Sequence, residues 1–133
     1  MSALAGAIAS GSMANLQKLW LTGNQIGDAG MSAFAGAIAS GSMAKIGILR
    51  LDSNEIDDKG INAFADTSAS MANLRIMRLD SNEIGDAGMS ALAGAIASGS
   101  LPALRDVDMI ANPGSDAPVR QAIITLQPPT LSL

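Results

Sequence analysis

Two hydrophobic rhythms alternate along the chain. The first is a short phrase, Leu16-x-x-Leu19-x-Leu21-x-x-Asn24-x-Ile26, in which leucines one residue apart flank a position that points elsewhere. That period of two predicts a short, half-buried strand. The second rhythm places Met31, Phe34, Ala35 and Ile38 at i, i+3, i+4 and i+7, which is one face of an α-helix. Asp28, Asp58 and Asp86 stand where such helices begin and are expected to act as N-caps, with Gly41 and Gly99 at helix exits.

Both rhythms recur. The strand phrase returns at Ile46-x-x-Leu49-x-Leu51-x-x-Asn54-x-Ile56 and at Leu74-x-x-Met77-x-Leu79-x-x-Asn82-x-Ile84. Its last copy is Leu104-x-x-Val107-x-Met109-x-x-Asn112, with Gly114 in the isoleucine position. Successive copies begin 30, 28 and 30 residues apart. The helical phrase MSALAGAIASGSMA of residues 1–14 returns at 31–44 with one change and again at 89–102. No single strand–helix unit can bury its own apolar face, whereas stacked units bury a continuous core. The expected architecture is α/β, with a parallel sheet on one side and a row of helices on the other. It forms a single domain over 1–133: a helix of an incomplete repeat (1–14), full repeats at 15–44, 45–72 and 73–102, and a divergent C-terminal capping repeat (103–133).

Two departures from the repeat carry expectations of their own. Residues 61–70 are two shorter than their counterparts and put Asp66, Thr67 and Ser68 where Gly36, Ala37 and Ile38 stand, so this helix should be the least well packed. In the last unit, Ala117-Pro118 opens a final helix to about Gln127, with Asp116 as its cap. The first helix copies an interior one and should leave Leu4 and Ile8 open on one side, as in a piece of a longer solenoid or a chain whose end a partner covers.

The L-x-x-L-x-L-x-x-N-x-I core, followed by Gly-Asp-Ala-Gly and a helix, resembles the leucine-rich repeat family. The period and the true helices are similar to its ribonuclease-inhibitor-like subfamily. The resemblance implies a short curved horseshoe with strands on the concave face and helices on the convex one. It also implies a buried structural ladder of Asn24, Asn54, Asn82 and Asn112, hydrogen-bonded to backbone at the strand exits.

Composition narrows the chemistry. The chain holds neither cysteine nor histidine, which removes thiolate and imidazole ligands and nucleophiles. The loops beginning Asp52-Ser-Asn54 and Asp80-Ser-Asn82 start like calcium loops, but Ile56 and Ile84 occupy a ligand position and Ala63 and Ala91 stand where the bidentate Glu belongs. Gly27-Asp-Ala-Gly30 is neither a dinucleotide fingerprint nor a phosphate loop. The reading is therefore non-enzymatic, with no cofactor and no metal. A formal charge of −4 argues against nucleic acid. No apolar run is long enough to insert in a membrane. The lack of cysteine suits a reducing, intracellular compartment.

Function should then lie on exposed columns. Trp20, Arg50, Arg78 and Asp108 fall in the fifth position of the strand phrase, Asp52 and Asp80 in the seventh, Lys18 in the third, and Arg75 in the second. Trp and Arg are enriched in binding hot spots, so these residues are candidates for recognising a protein partner on the concave face. The same residues could instead form cross-repeat ion pairs such as Arg50–Asp80 or Arg78–Asp52 on a merely solvated face. The helix backs carry Ser32, Gly36, Ala39 and Ser40, then Ser90, Gly94, Ala97 and Ser98, where charge is usual. A low-charge surface permits close approach of another chain, and the alternative reading is a structural accessory subunit of a larger complex. An inhibitor role rests on family analogy alone.

Overall fold

A computed structural model describes residues 4, 6, 7, 10, 11 and 14–126. Most of the 1–14 helix, Ile8 included, and Gln127 lie outside those residues. Leu4, Gly6 and Ala7 are helical, and Leu4 is half-buried against the core.

Among the described residues the chain alternates β1 (Lys18–Trp20), α1 (Gly27–Ala39), β2 (Ile48–Arg50), α2 (Asp58–Thr67), β3 (Ile76–Arg78), α3 (Asp86–Ala97), β4 (Asp106–Asp108) and α4 (Ala117–Leu126). The strands form one parallel sheet in the order β1-β2-β3-β4. Its register runs Lys18↔Ile48↔Ile76↔Asp106 and Trp20↔Arg50↔Arg78↔Asp108, so equivalent positions form straight columns. Each helix packs on the next along the opposite side. This is the expected leucine-rich-repeat solenoid.

The core lies between the two layers. Leu49, Leu51, Met77 and Leu79 face Met31, Phe34, Ile38, Ile61, Phe64, Met89, Leu92 and Ile96, all without exposed surface. Burying each of the larger side chains stabilises the fold by roughly 1.5–3 kcal/mol. Leu16, Leu19 and Leu21 are only partly buried, since β1 has a single hydrogen-bonded neighbour.

The short second helix is better packed than its composition suggests. Ile61, Phe64 and Met71 have no exposed surface. A 3-10 turn over Ser68–Ser70 absorbs the missing residues. Ser68 is itself buried, and its hydroxyl donates to Ala65 O at 2.9 Å, so it carries no unpaired polar group.

The helix caps differ from expectation in an informative way. Asp28, Asp58 and Asp86 lie inside the first turns rather than before them. In α2 the cap is Asp57, whose Oδ1 accepts from Lys59 N at 3.0 Å and Gly60 N at 3.2 Å. Asp58 reaches across to the following repeat instead, where its Oδ1 accepts from Gly85 N at 2.6 Å and Gly88 N at 3.0 Å. Asp86 does the same for Ser115 N at 2.9 Å. Each carboxylate thus satisfies orphan N–H groups of its neighbour. Asp116 does precede α4, but its carboxylate pairs with Arg120 Nε at 3.3 Å, while Ser115 Oγ accepts from Ala117 N.

The asparagines connect repeats at the strand exits. Asn82 donates to Leu51 O and Leu79 O at 3.0 Å, and its Oδ1 accepts from Asn54 N at 2.9 Å and Ile56 N at 3.0 Å. Asn54 donates to Leu21 O at 2.8 Å and accepts from Asn24 N at 2.7 Å. Asn112 donates to Leu79 O and Met109 O at 2.9 Å and accepts from Ile84 N at 3.0 Å. Asn54 and Asn82 are buried and Asn112 half-buried, but Asn24 is exposed and donates only to Thr22 O.

These differences predict unequal costs. Asn82→Ala should strand several buried backbone groups and cost about 3 kcal/mol or more. Asn24→Ala should cost less than about 1 kcal/mol, because water can replace its exposed amide. Urea unfolding of the two variants checks this, and equal midpoints would be inconsistent with the ladder. A backbone prediction accompanies it: Ala111 sits at φ 61°. Ala111→Gly should raise stability by about 1 kcal/mol, as glycine adopts that left-handed conformation without penalty.

Candidate interaction face on the concave sheet

Because strand residues alternate, Lys18, Trp20 and their column mates share the outer sheet face. Trp20 is 64% exposed, a large apolar ring in water. The Arg50 guanidinium lies over it, 5.3 Å from the ring centroid. That stacking is worth roughly 0.5–1 kcal/mol at an exposed site. Arg50 is held from its other side by Asp52, with Nε to Oδ1 at 3.3 Å and Nη2 to Oδ2 at 3.2 Å. Thr22 Oγ1 donates to the same carboxylate at 3.0 Å. Trp20, Thr22, Arg50 and Asp52 therefore form one joined group spanning two repeats.

Arg78 is fixed differently. Its Nε lies 3.0 Å from Asp80 Oδ1 and 3.5 Å from Asp108 Oδ2, on the next strand. The hydrogen bond from Arg78 to Asp80, opposed only by desolvation, raises the pKa of Arg78 and locks in its charge. The cross-repeat pairs expected from the columns, Arg50–Asp80 and Arg78–Asp52, do not form. Arg50 and Arg78 each reach an aspartate two residues along their own repeat, and Arg78 also reaches Asp108 of the next one.

The candidates consequently sort into unequal roles. Asp52 is buried at 5% exposure and serves as a brace beneath Arg50 rather than as a surface group. Asp80 and Asp108 are half-buried partners of Arg78. Lys18 and Arg75 are exposed, and neither side chain has a partner among the described residues. Ile110, in the seventh position of the last strand phrase, is 69% exposed at the far end of the face. Its apolar character in a column of Thr22, Asp52 and Asp80 is the signal that could have singled it out. On the opposite side, Ser32, Gly36, Ala39 and Ser40 of the first helix, and Ser90, Gly94, Ala97 and Ser98 of the third, are all exposed.

Among the described residues no cluster of acidic side chains is placed to hold a metal ion. No helix among them is long and apolar enough to cross a membrane.

Comparison with known proteins fits this geometry. The family model described as Leucine Rich repeat matches residues 12–35, 45–65 and 70–93, together more than half of the chain. The chain belongs to the leucine-rich repeat family. Leucine-rich repeat folds of similar shape occur in Leiomodin-1 Actin-Binding Site 2, with a TM-score of 0.66 at 15% identity, covering 92% of this chain and 84% of that one. The tropomodulin C-terminal domain of Caenorhabditis elegans also has a TM-score of 0.66, at 9% identity, covering 93% of this chain and 89% of that one. At such identities the likeness is one of fold. No curated protein matches the sequence.

The braced carboxylate makes the face of this leucine-rich repeat sensitive to acid. Burial by itself would raise the Asp52 carboxyl, but hydrogen bonds from Arg50, its own backbone and Thr22, with the charge of Arg50, hold it below the usual carboxylate range. A carboxyl lowered by folding adds stability above its unfolded pKa, near 3.9, and that stability is lost as pH falls through the folded value. Thermal melts between about pH 5 and about pH 2 should therefore drop more steeply for the wild type than for Asp52→Asn. Parallel curves would show that Asp52 is not the braced group.

Proposed function

We propose that the protein is a non-enzymatic interaction module that recognises a protein partner with its concave sheet face. The observation that carries this is the Trp20–Arg50–Asp52 group. An exposed tryptophan beneath an arginine already locked by a carboxylate presents a hot-spot pair whose conformational freedom is largely spent before binding. Arg78, clamped between Asp80 and Asp108, extends the same column, and Lys18 and Arg75 flank it. A structural neighbour whose name is an actin-binding site supports a protein as the class of ligand for this fold. The 28–30-residue period with full helices supports a ribonuclease-inhibitor-like arrangement. The cysteine-free composition supports a reducing, intracellular setting.

A second reading is favoured by one observation. Apart from Asp86 at the start of α3, the exposed helix positions of α1 and α3 are Ser, Gly and Ala, which lets another chain come close with little charge to desolvate. On that reading the chain is an accessory subunit packed through its convex side into a larger complex.

Affinity purification of the native protein followed by cross-linking separates the two. Under the leading reading, cross-links fall on the sheet side. The double variant Trp20→Ala/Arg78→Ala then loses its partner while its melting temperature stays close to that of the wild type, since Trp20 is mostly exposed. A variant that keeps its partner, with cross-links on the helices, would favour the accessory-subunit reading and sink the first.

A further inference from the structure

Charge in this chain is sorted between the two rims of the solenoid. The rim where strands end and helices begin carries Asp28, Glu55, Asp57, Asp58, Glu83 and Asp86, with Lys59 as a basic residue among them. The opposite rim, where strands begin, carries Lys18, Lys45, Arg75 and Arg105, with Asp106 and Asp66 as the acidic residues on that side. In a chain of net charge −4 this is a local reversal of sign.

The basic rim also differs from the sheet face in how its charges are used. Arg50, Arg78 and Arg120 are each in an ion pair. Lys18 and Arg75 are exposed without a side-chain partner among the described residues, and Lys45 Nζ donates to the neutral Asn15 Oδ1 at 2.8 Å. These uncompensated cations border one cleft of about 210 Å³, completed by Gln17, Gly47 and Asn73. Gly47 creates it. In the column between Gln17 and Arg75 it adds no side chain, and a Cβ there would lie 3.5 Å from Arg75 Nε and Nη2. The guanidinium thus lies alongside a floor of bare backbone. Ile48 offers an apolar wall for side-chain stems.

We infer that this cleft binds an acidic segment of a partner protein, its carboxylates pairing with Lys18, Lys45 and Arg75. The inference rests on the chain being an interaction module and adds the chemistry of what one rim takes. Adjacent strands lie about 4.7–4.9 Å apart, and the flexible stems of lysine and arginine let one cation per repeat reach carboxylates that recur about every 6–7 Å on one face of an extended peptide. Guanidinium and ammonium donors make charge-assisted bonds to carboxylates that neutral rims cannot. A nucleic acid is the poorer fit. Its affinity is built from about 6–10 phosphate contacts, more than this rim offers, and the far rim repels a long polyanion.

The test is fluorescence anisotropy of labelled octaglutamate titrated with the full chain. Saturable binding is expected at about 50 mM salt, weakening about tenfold or more by about 300 mM as the charges are screened. Lys18→Gln/Arg75→Gln should weaken it by about tenfold, whereas Lys59→Gln on the opposite rim should leave it within about twofold. Both substitutions are on exposed side chains, and circular dichroism confirms that each variant is folded. Trp20→Ala should bind octaglutamate as the wild type does, which separates this rim from the concave hot spot. Absence of binding, an equal loss in Lys59→Gln, or equally tight binding of an eight-residue oligothymidylate would each overturn the inference. Partner capture dependent on Trp20 would stand even then, so the two readings fail separately.

Discussion

Everything in this molecule depends on amide side chains that reach from one repeat into the next. A solenoid unit touches only its neighbours, so cooperativity must be carried by what crosses the seam. At each strand exit the chain turns through a left-handed residue: Gly23, Ser53, Ser81 and Ala111 have φ of 69°, 58°, 58° and 61°. The turn ends the parallel ladder and leaves backbone groups facing the interior without partners. An asparagine one residue later fits the need, because its short side chain carries both donors and an acceptor. Aspartate would lack the donors and glutamine would overshoot. With these bonds made, no buried side-chain nitrogen or oxygen among the described residues is left without a partner.

A second seam runs along the helix starts. Asp58 and Asp86 cap the repeat that follows, which couples each helix N-terminus to the position of the one before it. Such bonds need the backbones close. Gly88 makes the approach possible: a Cβ there would meet Asp58 Oδ1 and Ile61 Cγ2 at 2.6 Å. Gly114 shows the same constraint more severely, since its Cβ would fall 2.4 Å from Gly85 C. The departure from isoleucine in the last repeat is therefore a packing requirement. There the final loop is pressed onto the preceding turn, with Gly114 N donating to Ile84 O at 2.9 Å.

The periodicities made the architecture legible, because repetition lets three or four copies vote on each position. Strand columns, helix faces and the asparagine positions all follow from that alignment. What was not legible were choices between neighbours of equal chemistry. Asp57 and Asp58 are adjacent carboxylates, and only the three-dimensional path decides that one caps its own helix and the other the next. Likewise, Arg50 could face Asp52 or Asp80 by charge alone. The intra-strand partner wins because Asp52 lies on the same face two residues on, with Thr22 already donating to it. Burial of Asp52 was equally invisible, since an aspartate in an exposed column gives no sign that arginine and threonine will roof it. Composition likewise does not reveal that Ser68, in the shortened repeat, can return its hydroxyl to the backbone.

Pairing changes what the arginines of the sheet face can contribute. Ion pairs at a sheet surface, even partly covered as these are, add on the order of 1 kcal/mol to stability, so holding the fold together is not their main consequence. Their charge is already balanced by Asp52, Asp80 and Asp108, which leaves little net attraction for a distant acidic partner. What they retain is shape. A guanidinium fixed over an indole presents a rigid, amphipathic surface whose side-chain entropy has been lost on folding rather than on binding. Long-range attraction must then come from cations outside these ion pairs, and three of them, Lys18, Lys45 and Arg75, lie together at the strand-entry rim. The division follows from where the aspartates stand: one braces Arg50 and two brace Arg78 on the sheet, and none lines the basic cleft.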